Sequence, residues 1–228
     1  MSDRYRDGSY GIDHPNWHHE DAEAKALGVL PLLRDLPPPA RVVDVGCGAG
    51  GVLWHLQQRL GAEWSATAWE GWDVAPRAIE QAEGRAGRAL RFRTGDFLAS
   101  DATADLLLCL DVVEHVPDDL AFLAALRSRA ERFLFRLPLD LSVWDVARPG
   151  PRLTQVGPRF GHRHLYTREL ALQRLEAAGY VIDDVRYHRA EPLGRGVMDR
   201  LRRRGMAWRP HATVRWLGGF SLLVRARA

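Results

Sequence analysis

Val42-Val43-Asp44-Val45-Gly46-Cys47-Gly48-Ala49-Gly50 reads as a buried strand that runs into a glycine-rich turn, with residues 51–60 following as a helix. Glycines let the backbone come close to a ligand, and the helix N-terminus favours an anionic group. The stretch therefore points to a nucleotide-like cofactor. It does not choose among them. Gly46, Gly48 and Gly51 also fit the G-x-G-x-x-G spacing of dinucleotide sites. Asp73 stands where either cofactor class needs an acid for a ribose.

Outward from this turn the pattern alternates. Residues 41–45, 65–72, 90–94, 104–110 and 132–137 read as strands; 51–60, 76–84 and 120–131 read as helices. A helix is expected over 21–34, with Pro31 inside it and Pro37-Pro38-Pro39 closing it off. Strands alternating with helices imply parallel βαβ units in a doubly wound α/β sheet. The tail adds a helix over 167–179, ended by Gly179, a strand over 180–187 and a strand over 219–225. No helix of ordinary length is evident just before that last strand, so it is expected to join the sheet antiparallel. A basic insertion over 194–206 has a possible helical pattern.

Three features narrow the cofactor. Asp44 lies inside the strand, where a carboxylate suits a cationic amino group and suits a pyrophosphate poorly. Gly95-Asp96-Phe97 follows the third strand; Asp96 can accept from an adenine amino group while Phe97 packs the ring. Asp111-Val112-Val113-Glu114-His115-Val116 follows the fourth strand.

These residues together resemble the class I S-adenosylmethionine-dependent methyltransferases, of the small-molecule type. That family typically shows D-x-G-C-G-x-G after strand one, an acid after strand two, G-D after strand three and often E-H-V after strand four. The resemblance covers about residues 40–140, and extends more loosely to Gly161-His162-Arg163-His164-Leu165-Tyr166-Thr167 and Ala177-Ala178-Gly179-Tyr180. It implies a Rossmann-like sheet of seven strands, the last antiparallel, with helices on both faces. It implies S-adenosylmethionine as cofactor and S-adenosylhomocysteine as product. Asp44, Gly46, Cys47 and Gly48 would line the methionyl end, and Asp73 would hold the ribose with Val74 beside the adenine. Asp96 and Phe97 would read the adenine, and Leu110 and Asp111 would lie near the sulfonium. Residues 1–39 are expected to form an N-terminal cap or lid segment and helix. Residues 40–228 would be the methyltransferase domain, with the basic insertion near 190–215.

Methyl transfer is an in-line displacement, so the protein positions the acceptor, excludes water and removes a proton where the acceptor needs it. For a hydroxyl acceptor a histidine base suits. His115 is the first candidate because it follows the strand that ends beside the methyl group; His162 and His164 are alternatives. O-methylation is favoured mildly over N- or C-methylation. The segment after strand four holds no N-P-P-Y or D-P-P-Y, and no Pro-Cys pair exists, so nucleic-acid substrates are disfavoured and a small molecule is expected. A nicotinamide-dependent oxidoreductase and a non-catalytic cofactor-binding module are the rival readings.

The rest of the sequence bounds these expectations. The chain has 228 residues, 46% hydrophobic and 27% charged, with a net charge of +3, enough for one core. No apolar run approaches the roughly 20 residues of a membrane span, and no apolar signal segment opens the chain, which reads as cytoplasmic. Cys47 and Cys109 sit in apolar or glycine-rich segments and suggest no disulfide framework. Lys25 is the only lysine and is expected on a helix face, with a lid residue as the alternative; the arginine excess is read as coding bias. The late arginines, Arg195 to Arg209, form a local patch that can attract an anionic substrate or a membrane surface. His14, His18 and His19 fit no standard ligand spacing, and no metal is expected.

Overall fold

The computed structural model describes residues 19–148, 152–189 and 193–228. The expectations for the N-terminal aromatic segment, including His14 and His18, lie outside the described residues. The first helix, α1 (Ala22–Arg34), continues through Pro31. Then follow β1 (Arg41–Val45), α2 (Gly51–Leu60), β2 (Ala68–Asp73), α3 (Pro76–Glu83), β3 (Leu90–Thr94), β4 (Ala104–Leu110), α4 (Asp119–Arg127) and β5 (Ala130–Pro138). The later part holds α5 (Val143–Ala147), α6 (Arg152–Phe160), α7 (Arg168–Ala177), β6 (Val181–His188), α8 (Val197–Trp208), α9 (Pro210–Leu217) and β7 (Ser221–Arg227).

The seven strands form one sheet in the order β3-β2-β1-β4-β5-β7-β6. Strands β1 to β5 pair in parallel, and β7 lies antiparallel between β5 and β6. The chain reverses from β1 outward in both directions. The carboxyl ends of β1 and β4 thus form the crevice where open α/β sheets bind ligands.

Successive side chains point to opposite faces, so the sheet separates two cores. On one face Leu106, Leu108 and Leu110 of β4 pack with Val42, Leu53 and Leu56, and with Val29, Leu32 and Leu33 of α1. On the other, Leu107 and Cys109 pack with Phe133, Phe135, Leu123, Leu175 and Tyr180. α1 is therefore built into the sheet's own core, and its Leu32 carbonyl accepts from Arg225 of β7 at 3.1 Å.

The tail differs from the sequence expectation. The possible helix over 194–206 is α8, but α9 follows it before β7, where no helix was expected. α9 has only eight residues, begins at Pro210 and is parted from α8 by Arg209, so it carries too few turns for a periodic signal. The antiparallel direction of β7 holds, although a helix precedes it. The helices α5 and α6 were also not expected: the first is five residues long, and the second carries Gly157 and Pro158, residue types that normally mark a break although the helix continues through them.

Candidate functional site

The backbone at the end of β1 is folded by its glycines. Gly46 has φ +79°, and a Cβ there would lie 2.4 Å from Val112 Cγ2. Gly50, at φ +73°, caps α2 with no side-chain bond. A side-chain-bearing residue at Gly46 would meet both strain and a collision. The turn is then locked to β2: the Gly46 and Cys47 amides donate to the Trp72 carbonyl at 2.7 and 3.1 Å.

Asp73 ties the two strand ends together. One carboxylate oxygen accepts from the Gly48 amide and the other from the Ala75 amide, each at 2.9 Å. Burial pushes its carboxyl up, opposed by those amide bonds. Asp44 is buried and its Oδ1 has no hydrogen-bond partner. Burial first, and then the Asp73 carboxylate, raise it to about 7, although the Lys25 ammonium pulls the other way. A buried orphan carboxylate oxygen is costly, and a ligand cation would relieve it.

Asp44, Gly46, Cys47, Gly48, Asp73, Leu110 and Asp111 line one cleft, of about 320 Å³, with His115 and His162. Val74, Asp96 and Phe97 line an adjoining cleft of about 260 Å³ that shares Gly46 and Asp73 with the first. Asp96 is exposed and one of its oxygens caps the turn that follows, accepting from Leu98 N at 3.0 Å. Phe97 is buried and meets the Trp72 ring edge-on at 5.7 Å. The structure thus brings every expected cofactor residue to one continuous groove.

At the far end of the groove the groups are held by side chains. Asp111 has φ +58°. It pairs with the Arg136 guanidinium of β5 and, at 2.9 Å, with the Lys25 ammonium of α1. Burial would push the Asp111 carboxyl up, but these two cations outweigh it and hold it below the usual carboxylate range. Lys25 is thus drawn from its helix face into the site. Its one signal was rarity: it is the sole lysine in a chain rich in arginine.

Glu114 is fully buried, and neither carboxylate oxygen has a hydrogen-bond partner. Burial, with the Asp111 charge next, pushes its carboxyl up. Its carbonyl accepts from the amides of Arg163 and His164 at 2.7 and 3.2 Å, which docks the 161–166 segment onto the end of β4. That contact sets His162 beside His115, with ring centres 4.9 Å apart. His162 Nδ1 lies 2.7 Å from Asp140 Oδ2, a pairing invisible in the sequence. His164 turns elsewhere: its Nε2 lies 2.9 Å from the Val116 carbonyl, and it does not line the cleft. Glu114, His115 and His162 offer ligand-type atoms within 4.8 Å of one another, the one such group among the described residues. One carboxylate and two imidazoles are a donor set that can hold a divalent cation.

Comparison with known proteins places this groove in context. A methyltransferase-domain family model matches residues 17–185. A ubiquinone biosynthesis O-methyltransferase of Xanthomonas campestris is 37% identical over 126 residues, covering 49% of this chain and 50% of that protein. The namesake from Xanthomonas axonopodis is 30% identical over 164 residues, or 65% of this chain and 66% of that one. The chain thus spans about half the length of the first of these relatives. Among solved structures, the magnesium protoporphyrin IX methyltransferase of Synechocystis, crystallised with S-adenosylhomocysteine, superposes with a TM-score of 0.59 at 17% identity, covering 95% of this chain and 85% of that one. At that identity the likeness is one of fold.

Proposed function

Because the chain belongs to this methyltransferase family, we propose that it transfers the methyl group of S-adenosylmethionine to a hydroxyl of a small-molecule acceptor, in line, with a histidine taking the proton. The observation that carries this is the single groove, which runs from the orphaned Asp44 carboxylate to the His115–His162 pair. Asp44 Oδ1 receives the cofactor's ammonium, which offsets its burial. Asp73, with Gly46, Cys47 and Gly48, orients the ribose and the methionyl chain. Val74, Asp96 and Phe97 hold the adenine, with Trp72 walling the same cleft. Leu110 and Asp111 border the sulfonium, which supplies the activated methyl.

Among the candidate bases the geometry favours His162. Asp140 fixes its Nδ1 at 2.7 Å, which leaves Nε2 as the ring nitrogen that accepts the proton. As the acceptor oxygen bonds to the methyl carbon, its proton passes to that nitrogen. His115 stands next to it as a second recipient or a wall of the acceptor pocket. The relatives' name, ubiquinone biosynthesis O-methyltransferase, supports a hydroxyl acceptor, and a phenol is the kind to test first. Calorimetry with S-adenosylhomocysteine and with NAD tests the cofactor: binding of NAD alone overturns this reading. Transfer of labelled methyl from S-adenosylmethionine to a panel of phenols then tests the acceptor class. Labelling of amines but of no phenol would overturn O-methylation.

A further inference from the structure

The outer face of the α8–α9 hairpin has no part in that reaction, yet its composition is selective. Residues 193–217 hold seven arginines and one carboxylate, Asp199. Asp199 is taken up by Arg202 at 3.1 Å. Arg202 faces inward, and its Nε and Nη2 donate to the carbonyls of Gly218 and Leu217 at 3.0 and 2.8 Å. Its binding of those carbonyls ties α8 to the end of α9. The helices also approach closely, since a Cβ at Gly205 would lie 2.2 Å from Thr213 Oγ1.

The outward face of α8 is different. Val197, Leu201 and Trp208 recur at i, i+4 and i+11, which is one stripe of a helix. They are 64%, 48% and 89% exposed, and Trp216 of α9 is 60% exposed. Arg204 falls within the stripe and Arg200 flanks it, both exposed. Indoles and aliphatic side chains standing in water among arginines gain nothing from water. They match a bilayer interface, where tryptophan sits at headgroup depth and arginine meets lipid phosphate. A nucleic acid would use the arginines but would leave Val197 and Leu201 without a purpose. The hairpin also borders the groove. Arg202, Gly219 and Phe220 line a cleft of about 390 Å³ that shares Lys25, Arg136 and Ser221 with the first cleft.

We propose that the α8–α9 hairpin docks the protein onto an anionic lipid bilayer, with Trp208, Trp216, Val197 and Leu201 in the interface and the flanking arginines on the headgroups.

The test is flotation of the full chain with vesicles of phosphatidylcholine alone or with one-third phosphatidylglycerol. The chain floats with the anionic vesicles and stays behind with the neutral ones, and high salt releases most of it. Arg200→Gln/Arg204→Gln lowers the partition coefficient about 25-fold, near fivefold for each arginine lost. Trp208→Ser/Trp216→Ser lowers it about tenfold. Both variants keep their affinity for S-adenosylhomocysteine, which shows that they fold. No flotation of the wild type at low salt, or unchanged flotation of either folded variant, overturns the proposal. Binding of poly(U) tighter than of the anionic vesicles and unchanged in Trp208→Ser/Trp216→Ser also overturns it and gives the surface to nucleic acid. Failure of the wild type to bind S-adenosylhomocysteine would instead strike the methyl-transfer reading and leave the docking result standing.

Discussion

At the glycine-turn end of the groove the polar groups come from two neighbouring strand ends, Gly46 to Gly48 after β1 and Asp73 after β2, and backbone amides hold them. At the histidine end, Lys25, Asp111, Arg136, Asp140 and His162 come from α1, from the ends of β4 and β5 and from the 161–166 segment, and side chains hold one another. The first end is fixed by strand register, so its weak points are steric. The second is an assembly of charges brought together from far along the chain, so its weak points are chemical. Substitutions should therefore separate the two: changes at the glycine turn act on cofactor affinity, and changes at the histidine end act on turnover.

The largest effect is expected from His162→Asn, which removes the proton acceptor and should lower kcat by about 10²–10⁴. Affinity for S-adenosylhomocysteine should not change. If kcat survives and affinity falls, the division between the ends is wrong. Gly46→Ala should do the reverse. The Cβ would meet Val112 Cγ2 at 2.4 Å in a left-handed backbone, and affinity for S-adenosylhomocysteine should drop on the order of a hundredfold by calorimetry.

A smaller effect concerns pH. Asp44 must be ionised to receive an ammonium and is held at about 7. Affinity for S-adenosylhomocysteine should thus fall as pH is lowered through about 7, approaching tenfold per pH unit. Asp44→Asn should bind weakly and without that slope. Stability of the ligand-free protein should move oppositely. A carboxyl raised on folding is stabilising below its unfolded pKa and loses that contribution as pH rises through its folded value. Asp44→Asn should therefore stabilise the ligand-free protein at pH 8, by an amount on the order of 4 kcal/mol, read as a higher melting temperature. The gain should vanish below about pH 4.

The smallest effect is expected from EDTA. If His162 takes the proton directly, chelation leaves turnover unchanged. A loss that zinc or magnesium restores would reassign Glu114, His115 and His162 to a cation.

Much of the glycine-turn end was legible because its signals are local. A β-branched strand, three glycines and an acid after the next strand sit within a short stretch, and hydrophobic period 2 or 3.6 locates the elements around them. The histidine end was legible only in part. His115 and His162 could be named as candidates, but Asp140 could not, since nothing near it in sequence points to His162. Lys25 looked like any helix-face lysine because its partner, Asp111, lies beyond four intervening strands. Among the elements, α5 and α9 span too few turns for periodicity, and α6 carries Gly157 and Pro158, residues that normally mark a break.

Asp73 has a further consequence. Its two oxygens latch the turn after β1 and the turn after β2 into one body, through Gly48 and Ala75. The conformational entropy of both turns is therefore lost when the chain folds and not when the cofactor arrives. Slow exchange of the Gly48 and Ala75 amides with deuterium in the ligand-free protein would record this preorganisation directly.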